Sequence, residues 1–423
     1  MQAMKQLLAL LTVLLLAACG GAGNWNQPPT PAQAAPSSLQ APGQPQMGPN
    51  VNGAPGAPAL TTNPAIVPNS QPVKVAILVP LTGSHADLGN ALLQAAQLAL
   101  FDMGTHTFEL IPRDTGGSAQ GAEKAAQAAV SDGAQLILGP LFAAQVKAAA
   151  PIASHAGINM IAFSTDWTLA GGNTFIIGFV PFGQVQRIVE YAASQGVHRV
   201  GVLAPDDEYG KAVVNAYNAE VYRTGMTTVT VTRFPAGQTD FTDILTKFAG
   251  HDQQSTNAGT PPPFDAVLIA VGGNQARNIA NALINYGLGP DKVRRLGTGL
   301  WDDTGLAIEP GMQNALFAAP DPGLRQSFEK RYADTYGQAP PRLATLAYDA
   351  TALAAVLARN GGGPQPFDRT ALMNPNGFAG LDGVFRFLPN GVAERGLGVL
   401  TFNGGRVDVR DPAPRTFQQW QGH

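Results

Sequence analysis

The stretch Val73 to Asp102, VKVAILVPLTGSHADLGNALLQAAQLALFD, sets what the rest of the chain can become. Val73–Val79 is an almost unbroken apolar run rich in β-branched residues, the pattern of a strand buried on both faces of a parallel sheet. Pro80 ends it, and Thr82, Gly83 and Ser84 form a small-residue turn. Leu88, Leu92, Ala96 and Leu100 then recur every four residues and share one helix face. Strand, polar turn and helix open a doubly wound α/β domain, in which ligands sit beyond the carboxyl ends of the strands. The free N–H groups of such a helix start suit an anionic group.

The 423 residues are enough for two or three domains with a large core. A net charge of −3 gives no bulk attraction to nucleic acid. Cys19 is the one cysteine, so no intramolecular disulfide and no cysteine-based zinc site is available. It closes the opening segment MQAMKQLLALLTVLLLAAC, where Lys5 supplies a positive start and Leu7–Leu16 an apolar run too short for a transmembrane helix. Leu16-Ala17-Ala18-Cys19 resembles the lipobox of bacterial lipoproteins. That resemblance implies a signal peptide over 1–18, cleavage before Cys19, and acyl chains on the new terminus that anchor it to a membrane. Gly20, where an aspartate would imply retention in the inner membrane, leans towards the outer one.

Gly20–Pro72 contains no Asp, Glu, Lys or Arg and is built of Pro, Ala, Gln, Asn and Gly. It has nothing with which to build a core and reads as a disordered tether over 19–72. As a flexible coil it spans roughly 40 Å, and as polyproline II at most about 160 Å.

From Val73 onward strands and helices alternate. Apolar runs at Phe108–Pro112, Gln135–Leu138 and Asn159–Phe163 are separated by helical patterns over Gly121–Val130 and Ala143–Ala153. After an extended segment at Phe175–Val180 the pattern restarts, with strands at Arg199–Ala204, Thr227–Arg233, Ala266–Val271 and Arg295–Thr298. Helices follow over Gly323–Tyr336 and Leu343–Ala358. The Pro389-Asn390-Gly391 turn between Val384–Phe387 and Gly398–Phe402 is a hairpin signal. Two runs of βα units predict an α/β fold of two doubly wound parallel-sheet lobes.

The order and spacing of VAILVPLTGSHADLG, LILGPLFAAQ, DDEYG, LATLAYDATALAA and GFAGLDGVFRFLPNG resemble the type 1 periplasmic-binding fold, in its leucine-binding-protein-like group. The resemblance covers about Val73 to Phe402. It implies two lobes joined by three crossovers, here near Gly178, Ala319 and Asp382, with a ligand cleft between them. Lobe I would take 73–178 and 320–381, and lobe II 179–319 and 382–423.

Catalytic signatures give no support to an enzyme. Asp114-Thr115-Gly116 spells the aspartic-protease triplet, but once and after an α/β-type strand, where a capping turn is the better reading. Gly297-Thr298-Gly299 begins like a dinucleotide fingerprint, but Asp302 replaces its last glycine. No GK[ST] loop, GxSxG elbow or HExxH occurs, and the six histidines are scattered. No cofactor or metal is expected.

The strand ends place six small clusters at the cleft: Thr82 and Ser84; Phe142 beside Ala143; Ser164, Thr165 and Asp166; Asp207 and Tyr209; Gly273 and Asn274; Trp301 and Asp302. A tryptophan beside carboxylates can clamp a small polar ligand that carries a cation or several hydroxyls. In amino-acid receptors of the resembling group a serine after the third strand holds the ligand carboxylate. Ala143 occupies that position here and brings no hydroxyl. The resemblance gives Tyr209 a ligand-contacting role and Asp302 the role of partner to the ammonium group.

Two functions follow. Within the leucine-binding-like group the chain is most similar to penicillin-binding-protein activator lipoproteins, which implies a periplasmic, outer-membrane-anchored regulator of peptidoglycan synthases. The long tether suits reach through a sugar layer. The alternative is a solute receptor that delivers amino acids or another small polar ligand to an ABC permease. Neither reading involves nucleic acid.

Overall fold

The computed structural model describes residues 72–104, 108–250, 261–360 and 365–420. The signal peptide, Cys19 and the tether lie outside them.

The first lobe begins with β1 (Val73–Val79), α1 (Ala86–Met103), β2 (Phe108–Asp114), α2 (Ala119–Ser131), β3 (Leu136–Leu138), α3 (Ala143–His155), β4 (Asn159–Ala162) and β5 (Thr174–Ile176). Its five strands are all parallel, in the order β2-β1-β3-β4-β5. The two faces of β1 divide as a strand buried on both sides must. Val75, Ile77 and Val79 pack with α1, and Ala76 and Leu78 join the alanines of α2 and α3.

Pro80 stops β1, and its carbonyl is met at once by the first turn of α1. A Cβ on Gly89 would stand 1.8 Å from the Pro80 oxygen. The next lobe repeats the device, with a Cβ on Gly210 reaching to 2.0 Å from the Pro205 oxygen. Glycine at these positions lets the helix lie close against the strand it follows.

The second lobe continues with α4 (Pro181–Ser194), β6 (Arg199–Pro205), α5 (Glu208–Thr224), β7 (Thr227–Phe234), α6 (Thr242–Phe248), β8 (Ala266–Ile269), α7 (Gly273–Asn285), β9 (Arg294–Gly297) and β10 (Leu316–Ala319). The chain then returns to the first lobe as α8 (Pro322–Tyr336), α9 (Ala344–Asn360), α10 (Arg369–Leu372), β11 (Phe378–Gly380), β12 (Gly383–Phe387) and β13 (Ala393–Arg395). It re-enters the second lobe with β14 (Gly398–Asn403) and β15 (Arg406–Asp411). A last 3₁₀ turn, Phe417–Trp420, packs back on the first lobe, where Arg386 covers the Phe417 ring at 4.3 Å, so the end of the chain does not stay in lobe II as expected. The second sheet has the order β15-β14-β10-β9-β8-β6-β7, with β14 and β15 antiparallel. Two mainly parallel lobes joined by three passes match the expected fold class.

The third pass differs from the expectation. It falls at Gly396–Leu397, not at Asp382, because Phe385, Phe387 and Ala393 are buried in the core of the first lobe. The Asn-Gly turn does make a hairpin, but β12 pairs with the short β13. Gly398–Phe402 pairs with β10 and β15 instead.

No helix among the described residues is long and apolar enough to cross a membrane.

Candidate functional site

The first pass leaves the carboxyl end of β5 and the second leaves the carboxyl end of β10. The carboxyl edges of both sheets therefore border the junction, where ligands bind in open α/β sheets. Each of the six clusters lies just beyond such an end: β1, β3 and β4 in the first lobe, and β6, β8 and β9 in the second.

On the first lobe, Thr82 is exposed but not free. Its Oγ1 donates to Asp114 Oδ2 at 2.6 Å, and Asp114 Oδ1 accepts the amides of Leu81, Thr82 and Gly116. Burial pushes the Asp114 carboxyl up, but these hydrogen bonds outweigh it and hold the group below the usual range. The triplet aspartate is thus a clip between two loops. Ser84 is exposed, and the Phe142 and His85 rings meet at a tilt of 50° with centroids 4.7 Å apart. Ser164 is buried and accepts the Asp166 amide, and Asp166 caps a 3₁₀ turn by accepting from the Thr168 amide and hydroxyl. Thr165 is exposed between them.

On the second lobe, Asp207 is the cap of α5 and accepts from the Gly210 amide at 2.8 Å. The Tyr209 hydroxyl meets Thr298 Oγ1 at 2.8 Å, and burial raises its phenol well above the ordinary value. Asn274 is exposed and accepts from Arg277.

Two residues do not hold the roles expected of them. Trp301 is fully buried in the second lobe's core, and its Nε1 donates to the Val271 carbonyl at 2.7 Å. It has no face to offer a ligand. Gly297 makes room for it, since a Cβ there would lie 2.2 Å from the indole. Asp302 is also taken: Oδ1 pairs with Arg325 at 2.8 Å and Oδ2 with Arg342 at 3.1 Å. With its side chain only 8% exposed and two guanidiniums on it, it is no open partner for a ligand ammonium group.

That pair of bonds leads to a cluster that the sequence reading did not contain. Arg325, on α8, and Arg342 belong to the first lobe, so Asp302 ties the lobes together. Arg342 also pairs with Asp382 at 2.8 Å and covers the ring of Phe179, in the first pass, at 4.5 Å. Arg395 lies over the same ring at 5.1 Å and stands 3.8 Å from Asp349. Asp349 accepts the Leu381 amide at 2.7 Å, and its oxygens would meet a Cβ on Gly380 at 2.5 Å. Burial would raise Asp382, but Arg342 and Arg395 outweigh it and keep this carboxyl ionised below its usual range. Burial, with Asp382 nearby, pushes Asp349 up to about 7.

A stability signature follows. Between an unfolded value near the ordinary 3.8 and the folded value of about 7, the folded chain binds more protons at Asp349. Its contribution is complete in acid and is lost as pH rises through about 7. The thermal midpoint of Asp349→Asn is expected to fall less than the wild type's between about pH 5 and pH 8. Parallel curves for the two proteins would show that Asp349 does not titrate there.

Comparison with known proteins places the chain. Its sequence matches the periplasmic binding protein family over residues 72–406. The chain belongs to that family. No curated protein matches the sequence. Among solved structures it is similar to a branched-chain amino acid ABC transporter protein from Rhodospirillum rubrum, with 20% identity and a TM-score of 0.70 over 80% of this chain and 100% of the other. A leucine binding protein from Thermotoga maritima gives 23% identity and a TM-score of 0.56, over 80% of this chain and 97% of the other. A solute binding protein from Rhodopseudomonas palustris in complex with benzoate gives 17% and 0.58, over 82% and 97%. At such identities these likenesses show the fold. The periplasmic binding fold read from the sequence is therefore correct, while nothing in these likenesses points to the penicillin-binding-protein activators.

Proposed function

We propose that this periplasmic binding protein is the solute receptor of an ABC importer, not a regulator of peptidoglycan synthases. The observation that carries this reading is the junction: two complete lobes, three short passes, and an ion cluster with its acid Asp302 in one lobe and its bases Arg325 and Arg342 in the other. Such a tie can be made and broken as the lobes close on a ligand and reopen. The solved structures it resembles include a branched-chain amino acid ABC transporter protein, a leucine binding protein and an ABC transporter solute binding protein with benzoate, which supports this reading.

The cleft ligand is a small polar solute without a free ammonium group. Asp302 is committed to two arginines, and Ala143 brings no side-chain donor for a carboxylate. Ser84, Thr165 and Asn274, exposed at the strand ends, are the polar contacts we assign to the ligand, with Phe142 as an apolar wall. A micromolar ligand at ~100 times its dissociation constant adds about 2.7 kcal/mol of stability. Thermal denaturation is expected to show that gain with a member of a panel of small polyols and other neutral hydroxylated solutes, and none with leucine. Deleting the gene should abolish uptake of the same compound. Capture of a peptidoglycan synthase, with uptake intact and wall synthesis weakened, would decide for the regulator.

We also propose that Cys19 carries the membrane anchor. Mass spectrometry of the mature amino-terminal peptide should find acylated Cys19 as its first residue, and Cys19→Ala should leave the membrane fraction. An unmodified Cys19 in membrane-extracted protein would refute the anchor.

A further inference from the structure

Beside the first and third passes lies a cavity of about 380 Å³, within the size range of small-molecule sites. None of the strand-end residues assigned above lines it. Its aromatic walls come from both lobes: Trp167 from the loop after β4, Phe179 from the first pass, and Phe182 from the first turn of α4. Trp167 and Phe182 meet edge to face at 4.9 Å across the junction.

Two features of this cavity call for an anion. Arg395 lines it with a side chain only 6% exposed. Its Nη2 donates to the Ile177 carbonyl at 2.9 Å. Its Nε and Nη1 are buried with no hydrogen-bond partner among the described residues, and the nearest carboxylate contact, Asp349 at 3.8 Å, is too long for one. Both atoms are shut off from the cavity as well as from solvent, so Arg395 acts on the cavity through its positive charge, with Asp382 and Asp349 as the carboxylates that offset it. The second feature is the start of α4. Val180 stands at its cap with no side-chain hydrogen bond, and the first turn, with Phe182 and Gly183, forms part of the cavity wall. The positive end of the helix dipole adds to the charge of Arg395.

We propose that this cavity is a second ligand site, for a small carboxylate with an aromatic or branched apolar body, whose occupancy joins the two lobes at the hinge. The carboxylate faces the charge of Arg395 and the amides of Phe182 and Gly183, since Pro181 has none, and the apolar body fills the space between Trp167, Phe179 and Phe182. Because those walls belong to different lobes, a bound molecule favours whichever interlobe angle holds them together. The site stands apart from the solute cleft and does not depend on what the cleft binds.

The probe is 4-fluorophenylacetate, followed by fluorine NMR on the full-length chain. Saturable binding is expected. Gly183→Leu fills the cavity, since nothing lies within 4 Å of a Cβ built there and the position is helical, so the fold should survive. It should weaken binding about tenfold or more, a loss of about 1.4 kcal/mol. Arg395→Leu should do the same and should erase the preference for the acid over uncharged 4-fluorobenzyl alcohol. Ala143→Trp, at the cleft, should leave the affinity unchanged. No saturable binding up to roughly 10 mM, the weak end of measurable affinity, would overturn the proposal. So would binding that persists in Gly183→Leu, or that Ala143→Trp abolishes.

Discussion

Arg342→Ala should cost the folded chain about 3 kcal/mol in urea unfolding, the lower end of what breaking a buried ion pair removes. The lower end applies because Arg342 is 27% exposed and water can reach part of the gap. The loss comes from what stays behind. Asp382 is fully buried and would keep only Arg395 as a compensating charge, while Asp302 would keep only Arg325. Arg342→Ala combined with Asp382→Asn should regain much of the loss, since the stranded charge is then gone. If the single variant lies within about 0.5 kcal/mol of the wild type, as for an ordinary surface change, the cluster is solvated and does not secure the hinge.

Trp301→Ala should be as damaging or worse, by about 3–5 kcal/mol. The indole is fully buried and is in contact with Phe317 at 6.4 Å between centroids. Its removal opens a cavity and leaves the Val271 carbonyl without its donor. Trp301→Phe should restore part of the packing but not that bond, and so fall between the two. The outcome also separates two roles. A ligand clamp would lose binding with stability intact, whereas a core residue loses stability first.

Trp301 shows where the sequence stopped being readable. A tryptophan next to two aspartates looks like a binding loop, because the neighbouring charges suggest an exposed turn. The side chain turns inward because Gly297, four residues earlier, leaves a space that any Cβ would close. Local features were legible. The two-sided burial of Val75–Val79 and the four-residue spacing of the following helix depend on neighbours in sequence, and both emerged as read. The hinge cluster was not, because Asp302 finds its arginines 23 and 40 residues away and no spacing rule connects them. The Asn-Gly turn was read correctly as a turn, but the strand it serves was not. Gly398–Phe402 has the stronger apolar run, yet Ala393–Arg395 is the segment within reach of a tight hairpin.

The first lobe is closed by residues made at opposite times. Leu92, Ala95 and Ala96 of α1 share a core with Ala347, Ala350 and Ala354 of α9, and the Tyr348 hydroxyl bonds to Asp102 across 246 positions of sequence. At ordinary rates of synthesis the ribosome needs roughly 10–50 s to traverse that gap. Throughout that time one face of the sheet that emerges first is covered by α1 without α9, and the intervening second lobe does not contribute to that core. Until then the apolar face that α9 will cover is open to solvent. The order of its segments thus delays completion of the first lobe's core until α9 has been made.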